Sequence, residues 1–216
     1  MIKKIKKSDF DFNSPDFELI NKRYYQEKED YDWVEAASHW KGLESILHSL
    51  REKSTKKLIK RFSQGDKFLD AGCGTGLILR HLPKGAVGLD INPRHLAKAK
   101  KYSPDSILVL GDIEKMPFPD SFFSTVICTE VLEHLPSPQK AVREVRRVLA
   151  PGGVLIGSLP AKNPIWKLRF LSSTHPGEPY HKEYRKKEII KLFSEQKIIF
   201  LKPASFFMSW NFVVEN

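Results

Sequence analysis

Short apolar segments alternate with amphipathic segments through the middle of the chain, and this alternation constrains the fold more than any other feature. Five apolar runs read KFLDAG, AVGLDI, SILVLGD, SFFSTVICTE and GGVLIGSLP. Segments with helical spacing stand between them: TGLILRHL, PRHLAKAKKY and PSPQKAVREVRRVLA. Nearly continuous apolar strands that alternate with helices indicate a parallel sheet covered by helices on both faces. The predicted fold class is therefore α/β.

The C-terminal apolar stretch KIIFLKPASFFMSWNFVV adds two more strands. Their connection is too short for a parallel crossover, which needs about a dozen residues, so the two strands must be antiparallel to each other. The sequence thus predicts a seven-stranded, mostly parallel sheet with an antiparallel final strand.

The region before the first strand has a different character. Residues 1–30 are polar and charged and are expected to form a loose arm, and residues 33–62 show helical spacing that predicts two helices with a break near Lys53–Ser54. The basic N-terminus is not followed by the apolar stretch of a secretory signal. No apolar run approaches the roughly 18 residues of a membrane-spanning helix, so we expect no membrane span.

The formal net charge of +10 is dispersed, with +2 in residues 1–66, +3 in residues 67–159 and +5 in residues 160–216. A dispersed excess is more typical of a solvated surface than of a nucleic-acid groove, so nucleic acid is a partner that we do not favour. Cys73 and Cys128 are too few and too far apart for a disulfide framework, and they favour a reducing, cytoplasmic location.

A glycine-rich loop, LDAGCGTG, lies where the first strand meets the next segment. Gly72, Gly74 and Gly76 allow a tight turn and a close approach of the backbone to a ligand. Their G-x-G-x-G spacing differs from the G-x-G-x-x-G of dinucleotide-binding enzymes, and no Lys-Ser/Thr pair for a nucleoside triphosphate follows. Asp70 precedes the glycines, where a carboxylate would oppose a pyrophosphate and favour a ligand with a cationic ammonium and sulfonium.

Two more acidic residues end the next strands. Asp90 ends the second strand, where a carboxylate can accept hydrogen bonds from both hydroxyls of a ribose. Asp112 ends the third strand, where it can accept from an adenine amino group. Each residue alone would suit a turn or a helix cap equally well. Together with Asp70, in register with the glycine loop, they indicate a site for a neutral or cationic nucleoside.

Four segments, LDAGCGTG, GLDINP, GDIEKMPFPDSFFSTVICTEVLEHLP and RVLAPGGVLIGSLP, resemble in this order the class I S-adenosylmethionine-dependent methyltransferases. The nearest resemblance is to the large family of small-molecule and quinone-type methyltransferases, and it covers about residues 65–160. It implies a Rossmann-like three-layer sandwich, S-adenosyl-L-methionine as cofactor, and transfer of a methyl group to a small-molecule acceptor, with oxygen as the expected atom.

The same resemblance implies residue roles. Asp70 would lie near the ammonium group of the cofactor, Asp90 would hold its ribose, and Asp112 would contact its adenine. The implied cofactor-binding residues are Asp70, Gly72, Cys73, Gly74, Gly76, Asp90, Ile91, Asp112, Ile113 and Cys128. The segment from Cys128 to Glu130 would face the reactive centre.

The segment TEVLEHL places Glu130, Glu133 and His134 just after the fourth strand. In a helical turn these residues would share one face and could hold a divalent cation. The segment is similar to the E-x-x-E-H motif of metal-dependent 2′-O-methyltransferases of small RNAs, with His181 as a further candidate ligand. A metal site, a base or substrate contact at His134 and a purely structural role all stay open. A divalent metal is not favoured, and Glu130 and His134 are the predicted catalytic residues.

We expect residues 1–62 to cover the acceptor side of the site, and residues 63–216 to form the domain that binds the cofactor. The insert KNPIWKLRFLSSTHPGEPY is a candidate lid. The aromatic and His candidates for the acceptor pocket are Tyr24, Tyr25, Tyr31, Trp33, His39, Trp40, Trp166, Phe170 and His175. Two other functions remain open, a methyltransferase for RNA or protein and a non-catalytic partner subunit that only binds the cofactor.

Overall fold

Seven strands form one sheet in the computed structural model, which describes residues 17–27, 31–38, 42–163 and 180–216. The strands are β1 (Phe68–Ala71), β2 (Val87–Asp90), β3 (Ile107–Leu110), β4 (Phe123–Thr129), β5 (Leu149–Pro160), β6 (Lys197–Ala204) and β7 (Ser209–Glu215). The helices are α1 (Phe17–Glu27), α2 (Trp33–Ser38), α3 (Gly42–Phe62), α4 (Pro93–Tyr102), α5 (Pro138–Val148) and α6 (Lys186–Leu192), with 3-10 helices at Leu79–His81 and Leu132–His134.

The strand order is β3-β2-β1-β4-β5-β7-β6. The pairs from β3 through β5 are parallel, and β7 runs antiparallel to both β5 and β6. The predicted seven-stranded, mostly parallel sheet with an antiparallel final strand is therefore confirmed. The chain moves outward from β1 to β3 and then returns to place β4 on the other side of β1. This reversal puts the ligand-binding crevice of an open α/β sheet beyond the carboxyl ends of β1 and β4.

Helices cover both faces of the sheet. Leu58 of α3 packs on Val154 and Ile156 of β5, on one face. Residues of α5, including Val145, pack in a second cluster with Leu155, which points to the opposite face because side chains alternate along a strand. The predicted three-layer sandwich follows from this alternation.

Three local predictions differ from the structure. No break occurs near Lys53–Ser54: α3 is continuous from Gly42 to Phe62, and the Ser54 hydroxyl is accommodated by donating to the Arg51 carbonyl at 2.9 Å. Part of the expected loose arm is helix α1, which is held by contacts with distant residues. The segment TGLILRHL forms turns and one short 3-10 helix, because Gly76 has φ +92°, which an α-helix does not accommodate.

The boundary between residues 1–62 and residues 63–216 stays a prediction. Among the residues that the structure describes, no helix combines the length and apolarity needed to cross a membrane. His39, Trp40, Trp166, Phe170, His175 and nearly all of the candidate lid lie outside the described residues.

Candidate active site

A cavity of about 290 Å³ lies at the carboxyl ends of the central strands. The helices α1, α2 and α3 contribute to its lining, as do the glycine loop and the segment after β4. Ten of the predicted site residues line it: Asp70, Gly72, Cys73, Gly74, Asp90, Ile91, Asp112, Ile113, Glu130 and His134. Among the aromatic candidates for the acceptor side, Tyr24, Tyr25 and Trp33 also line it.

Two predicted cofactor-binding residues do not line this cavity. Cys128 is 1% exposed and packs in the main core. Side chains alternate along β4, and that of Cys128 points to a covered face of the sheet and not into the cavity. Gly76 lies against α4, where an added Cβ would come within 3.3 Å of Ser103 Oγ. Its lack of a side chain lets the loop approach the helix, so neither residue is placed to contact a ligand directly.

The backbone amides of the glycine loop are used within the protein. The amides of Gly72 and Cys73 both donate to the Leu89 carbonyl, at 2.8 and 2.9 Å, and the amide of Gly74 donates to Asp90 Oδ2 at 2.8 Å. A loop that cradles a phosphate needs free amides directed at the ligand. This loop therefore does not suit a pyrophosphate.

The carboxylate of Asp70 is buried at the bottom of the loop. Its side chain is 2% exposed, and its Oδ2 atom has no hydrogen-bond partner among the described residues. Burial and the nearby Asp90 carboxylate raise the pKa of Asp70 to about 7, although a backbone hydrogen bond opposes the shift. A cationic group placed here would satisfy the orphaned oxygen and favour the charged form. The site therefore fits an ammonium-bearing cofactor.

Asp90 organises the turn after β2. Its Oδ2 accepts from the amide of Gly74, and its Oδ1 accepts from the amide of Asn92 at 2.8 Å. A carboxylate oxygen can accept more than one hydrogen bond, so Asp90 keeps acceptor capacity toward the cavity. The predicted ribose contact is compatible with this geometry.

Asp112 already has a cationic partner. Its Oδ2 lies 2.8 Å from Lys22 Nζ, and its Oδ1 accepts from the amide of Glu114 at 2.8 Å. Lys22 also reaches Glu114 at 2.6 Å. Burial disfavours the charge of Lys22, but its hydrogen bonds to the two carboxylates raise its pKa above the usual range. The sequence contained no signal for this bridge, because Lys22 lies in the segment that was expected to be loose.

The segment TEVLEHL does not form the predicted helical turn. Only Leu132–His134 is helical, as a 3-10 turn, and Glu130 stands before it with φ +55°. Glu130 accepts from Ser158 Oγ at 2.8 Å and lies 3.9 Å from Arg51 Nη1, whereas Glu133 is 1% exposed. The prediction that Glu130, Glu133 and His134 share one helical face is therefore wrong. Among the described residues, no group of three or more His, Cys, Asp or Glu side chains is arranged to hold a metal ion.

His134 lies between α1 and the segment before α6. Its Nδ1 is 2.9 Å from the Tyr25 hydroxyl, and its Nε2 is 3.7 Å from Glu133 Oε1. The ring of His181 lies edge-on, with the ring centroids 5.3 Å apart. The Asn21 side-chain amide donates to the His134 carbonyl at 2.8 Å, so α1 also fixes the backbone of this turn.

A chain of polar contacts connects α3 with Tyr31 on the predicted acceptor side. Arg51 Nη2 contacts His48 Nδ1 at 3.0 Å, and His48 Nε2 contacts the Tyr31 hydroxyl at 3.1 Å. Arg51 and His48 line the cavity, and sequence reasoning assigned no role to either. The spacing of His48 and Arg51 along α3 does not indicate which face of this helix lies near Glu130.

Comparison with known proteins identifies the same region. Residues 69–157 match the family model described as "Methyltransferase domain". The 2-methyl-6-phytyl-1,4-hydroquinone methyltransferase of Spinacia oleracea is 36% identical over 125 residues, which is 54% of this chain and 36% of the relative. The sterol 24-C-methyltransferase of Gibberella zeae is 42% identical over 100 residues, which is 42% of this chain and 26% of the relative. The matched segments thus span well under half the length of these relatives.

Among solved structures, magnesium protoporphyrin IX methyltransferase from Synechocystis, solved with bound SAH, aligns with a TM-score of 0.68. It is 17% identical, and the alignment covers 91% of this chain and 97% of that chain, so the likeness concerns the fold. The family match lies on the strands and loops that form the cavity. Residues 69–157 therefore match a methyltransferase domain, and the chain has the fold of solved S-adenosylmethionine-dependent methyltransferases.

Proposed function

We propose that this protein transfers the methyl group of S-adenosyl-L-methionine to a small-molecule acceptor, at an oxygen atom. The observation that carries the proposal is that one cavity joins two sets of groups. One set is the orphaned Asp70 carboxylate and the glycine loop, which suit the cationic cofactor. The other set, led by Tyr25, Glu130 and His134, can orient an acceptor and accept its proton.

The cofactor would supply an activated methyl group on a cationic sulfur. Asp70 would hold its ammonium group, and Asp90 would accept hydrogen bonds from its ribose. Alignment of the two reactants is the main task of the protein, because near-attack geometry can supply about 7–11 kcal/mol in the best intramolecular models. A hydroxyl acceptor must also lose a proton, and general-base assistance contributes about 10²- to 10⁴-fold.

A small acceptor suits the way that α1 lies across the strand ends. On one side of α1, Lys22 forms an ion pair with Asp112, and on the other side Asn21 donates a hydrogen bond to the His134 carbonyl. A long polymer would need an open groove along the strand ends where this helix lies. The dispersed charge of +10 also lacks the concentration of a nucleic-acid groove.

Oxygen is the proposed atom, and carbon is the alternative that the relatives favour. One relative is a hydroquinone methyltransferase and another is a sterol 24-C-methyltransferase. The polar groups around Tyr25 and His134 support oxygen, because an ionisable hydroxyl gains most from a nearby base. A cytoplasmic location is also proposed, since Cys73 and Cys128 are free buried thiols.

The test is to incubate the purified chain with S-adenosyl-L-methionine and a panel of hydroxylated, aminated and alkene-bearing small molecules. Mass spectrometry then follows S-adenosylhomocysteine and methylated acceptors. The proposal expects both products, with the new methyl group on oxygen, and expects Asp70→Asn to weaken cofactor binding. Tight cofactor binding without any methylated product would instead support a non-catalytic partner subunit. Product formed only with RNA or a peptide would support the other alternative.

A further inference from the structure

Both ring nitrogens of the predicted base His134 face protein groups. Nδ1 lies 2.9 Å from the Tyr25 hydroxyl, and Nε2 lies 3.7 Å from Glu133 Oε1. A base must come within hydrogen-bond distance of the proton that it removes, directly or through one bridging group. An acceptor in the cavity can therefore reach Nδ1 of His134 through the Tyr25 hydroxyl, which lines the same cavity.

The surroundings favour one tautomer of the imidazole. Glu133 is 1% exposed, and its carboxylate faces Nε2, where it favours a hydrogen on that nitrogen. Nδ1 is then the acceptor, and the Tyr25 hydroxyl donates to it. The contact of the same hydroxyl with the Tyr180 carbonyl is longer, at 3.4 Å. At 3.7 Å this carboxylate lies beyond hydrogen-bond distance of Nε2, so it acts on the imidazole through its charge.

The position of Tyr25 makes it the group that an acceptor can reach. Tyr25 lines the same cavity as Asp70 and Glu130. It is held there by α1, since the Tyr25 carbonyl accepts from the Asn92 side chain at 3.1 Å and the preceding turn of α1 carries the Lys22 bridge. Helix α1 therefore positions the Tyr25 hydroxyl beside His134.

We propose that Tyr25 is a catalytic residue that relays a proton from the acceptor to His134. The inference rests on the proposed function and deepens it. The acceptor hydroxyl forms its new bond to the methyl carbon and gives its proton to the Tyr25 oxygen. Tyr25 gives its own proton to Nδ1 of His134, and the resulting imidazolium is stabilised by Glu133. The electron pair of the broken carbon–sulfur bond stays on the sulfur of the methyl donor, which becomes neutral.

The relay has a consequence for the choice of acceptor. An acceptor whose hydroxyl is already ionised does not need Tyr25, whereas a weakly acidic hydroxyl does. Two titratable groups face the Tyr25–His134 pair and contribute to its response to pH, namely Glu133 and His181. A pH profile must therefore be compared between variants rather than assigned to one group.

The test compares Tyr25→Phe with Tyr102→Phe, which removes a phenol hydroxyl that bonds to Asp32 and lies outside the cavity lining. With a hydroquinone, Tyr25→Phe is expected to lower kcat by about 100-fold and to flatten its pH profile, as loss of general-base assistance does. With 4-nitrophenol at a pH above about 8, where this phenol is largely ionised, the loss should be about tenfold smaller, because no proton needs to leave. Tyr102→Phe should stay within about twofold of the wild type with both probes.

Two further measurements test the proton relay. In the protein without ligands, ¹⁵N shifts of the His134 ring should show a hydrogen on Nε2, and Tyr25→Phe should move the Nδ1 resonance. The variant pair Tyr25→Phe and His134→Gln should be non-additive, because the two residues act in one relay. A hydrogen on Nδ1, or equal kcat and pH dependence for Tyr25→Phe and wild type, would overturn the relay alone. Absence of turnover in the wild type with every acceptor would instead count against the proposed function.

Discussion

Lys22 on α1 and Asp112 after β3 are joined across the edge of the cavity, with Nζ 2.8 Å from Oδ2. Glu114 Oε2 lies 2.6 Å from the same ammonium group, so one lysine from the N-terminal helix bridges two carboxylates beside the predicted adenine site. Helix α1 is therefore attached beside the predicted adenine site through Lys22 and at the predicted acceptor side through Asn21.

Removal of this ammonium group should loosen α1. We expect Lys22→Met to lower the free energy of unfolding by about 1 kcal/mol, because a partly exposed ion pair contributes little more than that. The larger effect should be local, with faster hydrogen exchange in residues 17–27 and weaker binding of S-adenosyl-L-methionine. Lys197→Met is a matched control, since it removes the Lys197–Glu215 pair at the far edge of the sheet. Unchanged exchange in α1 would refute the attachment.

Asp70 should make cofactor binding depend on pH. Its pKa is raised to about 7 by burial and by Asp90, so the carboxyl is protonated below pH 7 in the ligand-free protein. A bound cation favours the charged carboxylate, and binding must then release the proton. Affinity for S-adenosyl-L-methionine should therefore rise with pH, by at most about tenfold per unit, and level off above pH 7.

The stability of the ligand-free protein should change in the opposite direction. Because the folded-state pKa is raised, the contribution of Asp70 is fully present below its ordinary pKa of 3.8 and is lost as the pH rises through about 7. Asp70→Asn should remove both pH dependences, whereas Asp105→Asn, at an exposed carboxylate, should retain them. Calorimetric titration and chemical denaturation measure the two effects. A wild-type affinity that does not change with pH would contradict the assignment.

Two glycines with similar backbone angles separate conformational strain from steric overlap. Gly72 has φ +79°, and an added Cβ would lie 2.4 Å from Val131 Cγ2, whereas Gly85 has φ +82° and nothing within 4 Å. Gly85→Ala should cost about 1–2 kcal/mol for the left-handed conformation alone. Gly72→Ala should cost about 1–3 kcal/mol more because of the overlap. Equal losses in urea denaturation would show that the loop can move away from Val131.

Exhaustive chelation should leave turnover unchanged. The two carboxylates of TEVLEHL have different partners and do not face a common point. Glu130 contacts Ser158 and Arg51, whereas Glu133 is buried beside His134. Loss of activity on chelation, with recovery on addition of Mg²⁺, Mn²⁺ or Zn²⁺, would revive the metal-dependent alternative. The measurement uses the same product assay as the methyl-transfer test.

Local patterns predicted the sheet and the glycine loop because their causes are local. The apolar runs set the strands, and α4 begins where Asn92 and Pro93 predicted, with the Asn92 side chain accepting from the amide of Arg94. The site depends in addition on contacts between distant segments. Tyr25 and His134 are 109 residues apart in the chain, and periodicity carries no information about such a pair.

The errors near TEVLEHL have a similar origin. Spacing alone suggested a helical turn, but Glu130 takes a left-handed conformation that its residue type does not favour. Its amide donates to the Ser158 carbonyl at 3.2 Å, and its carboxylate accepts from the Ser158 hydroxyl. These contacts with the end of β5 fix the residue, and they exist only once the sheet has formed.

A crystal structure of this protein with S-adenosylhomocysteine would test most directly whether the cofactor binds in the cavity beside Asp70. We expect the amino group of the ligand to lie within hydrogen-bond distance of Asp70 Oδ2, with its ribose at Asp90 and its sulfur toward the space lined by Tyr25 and Glu130. Clear density for the ligand elsewhere in the protein, with Asp70 Oδ2 still without a partner, would contradict this expectation.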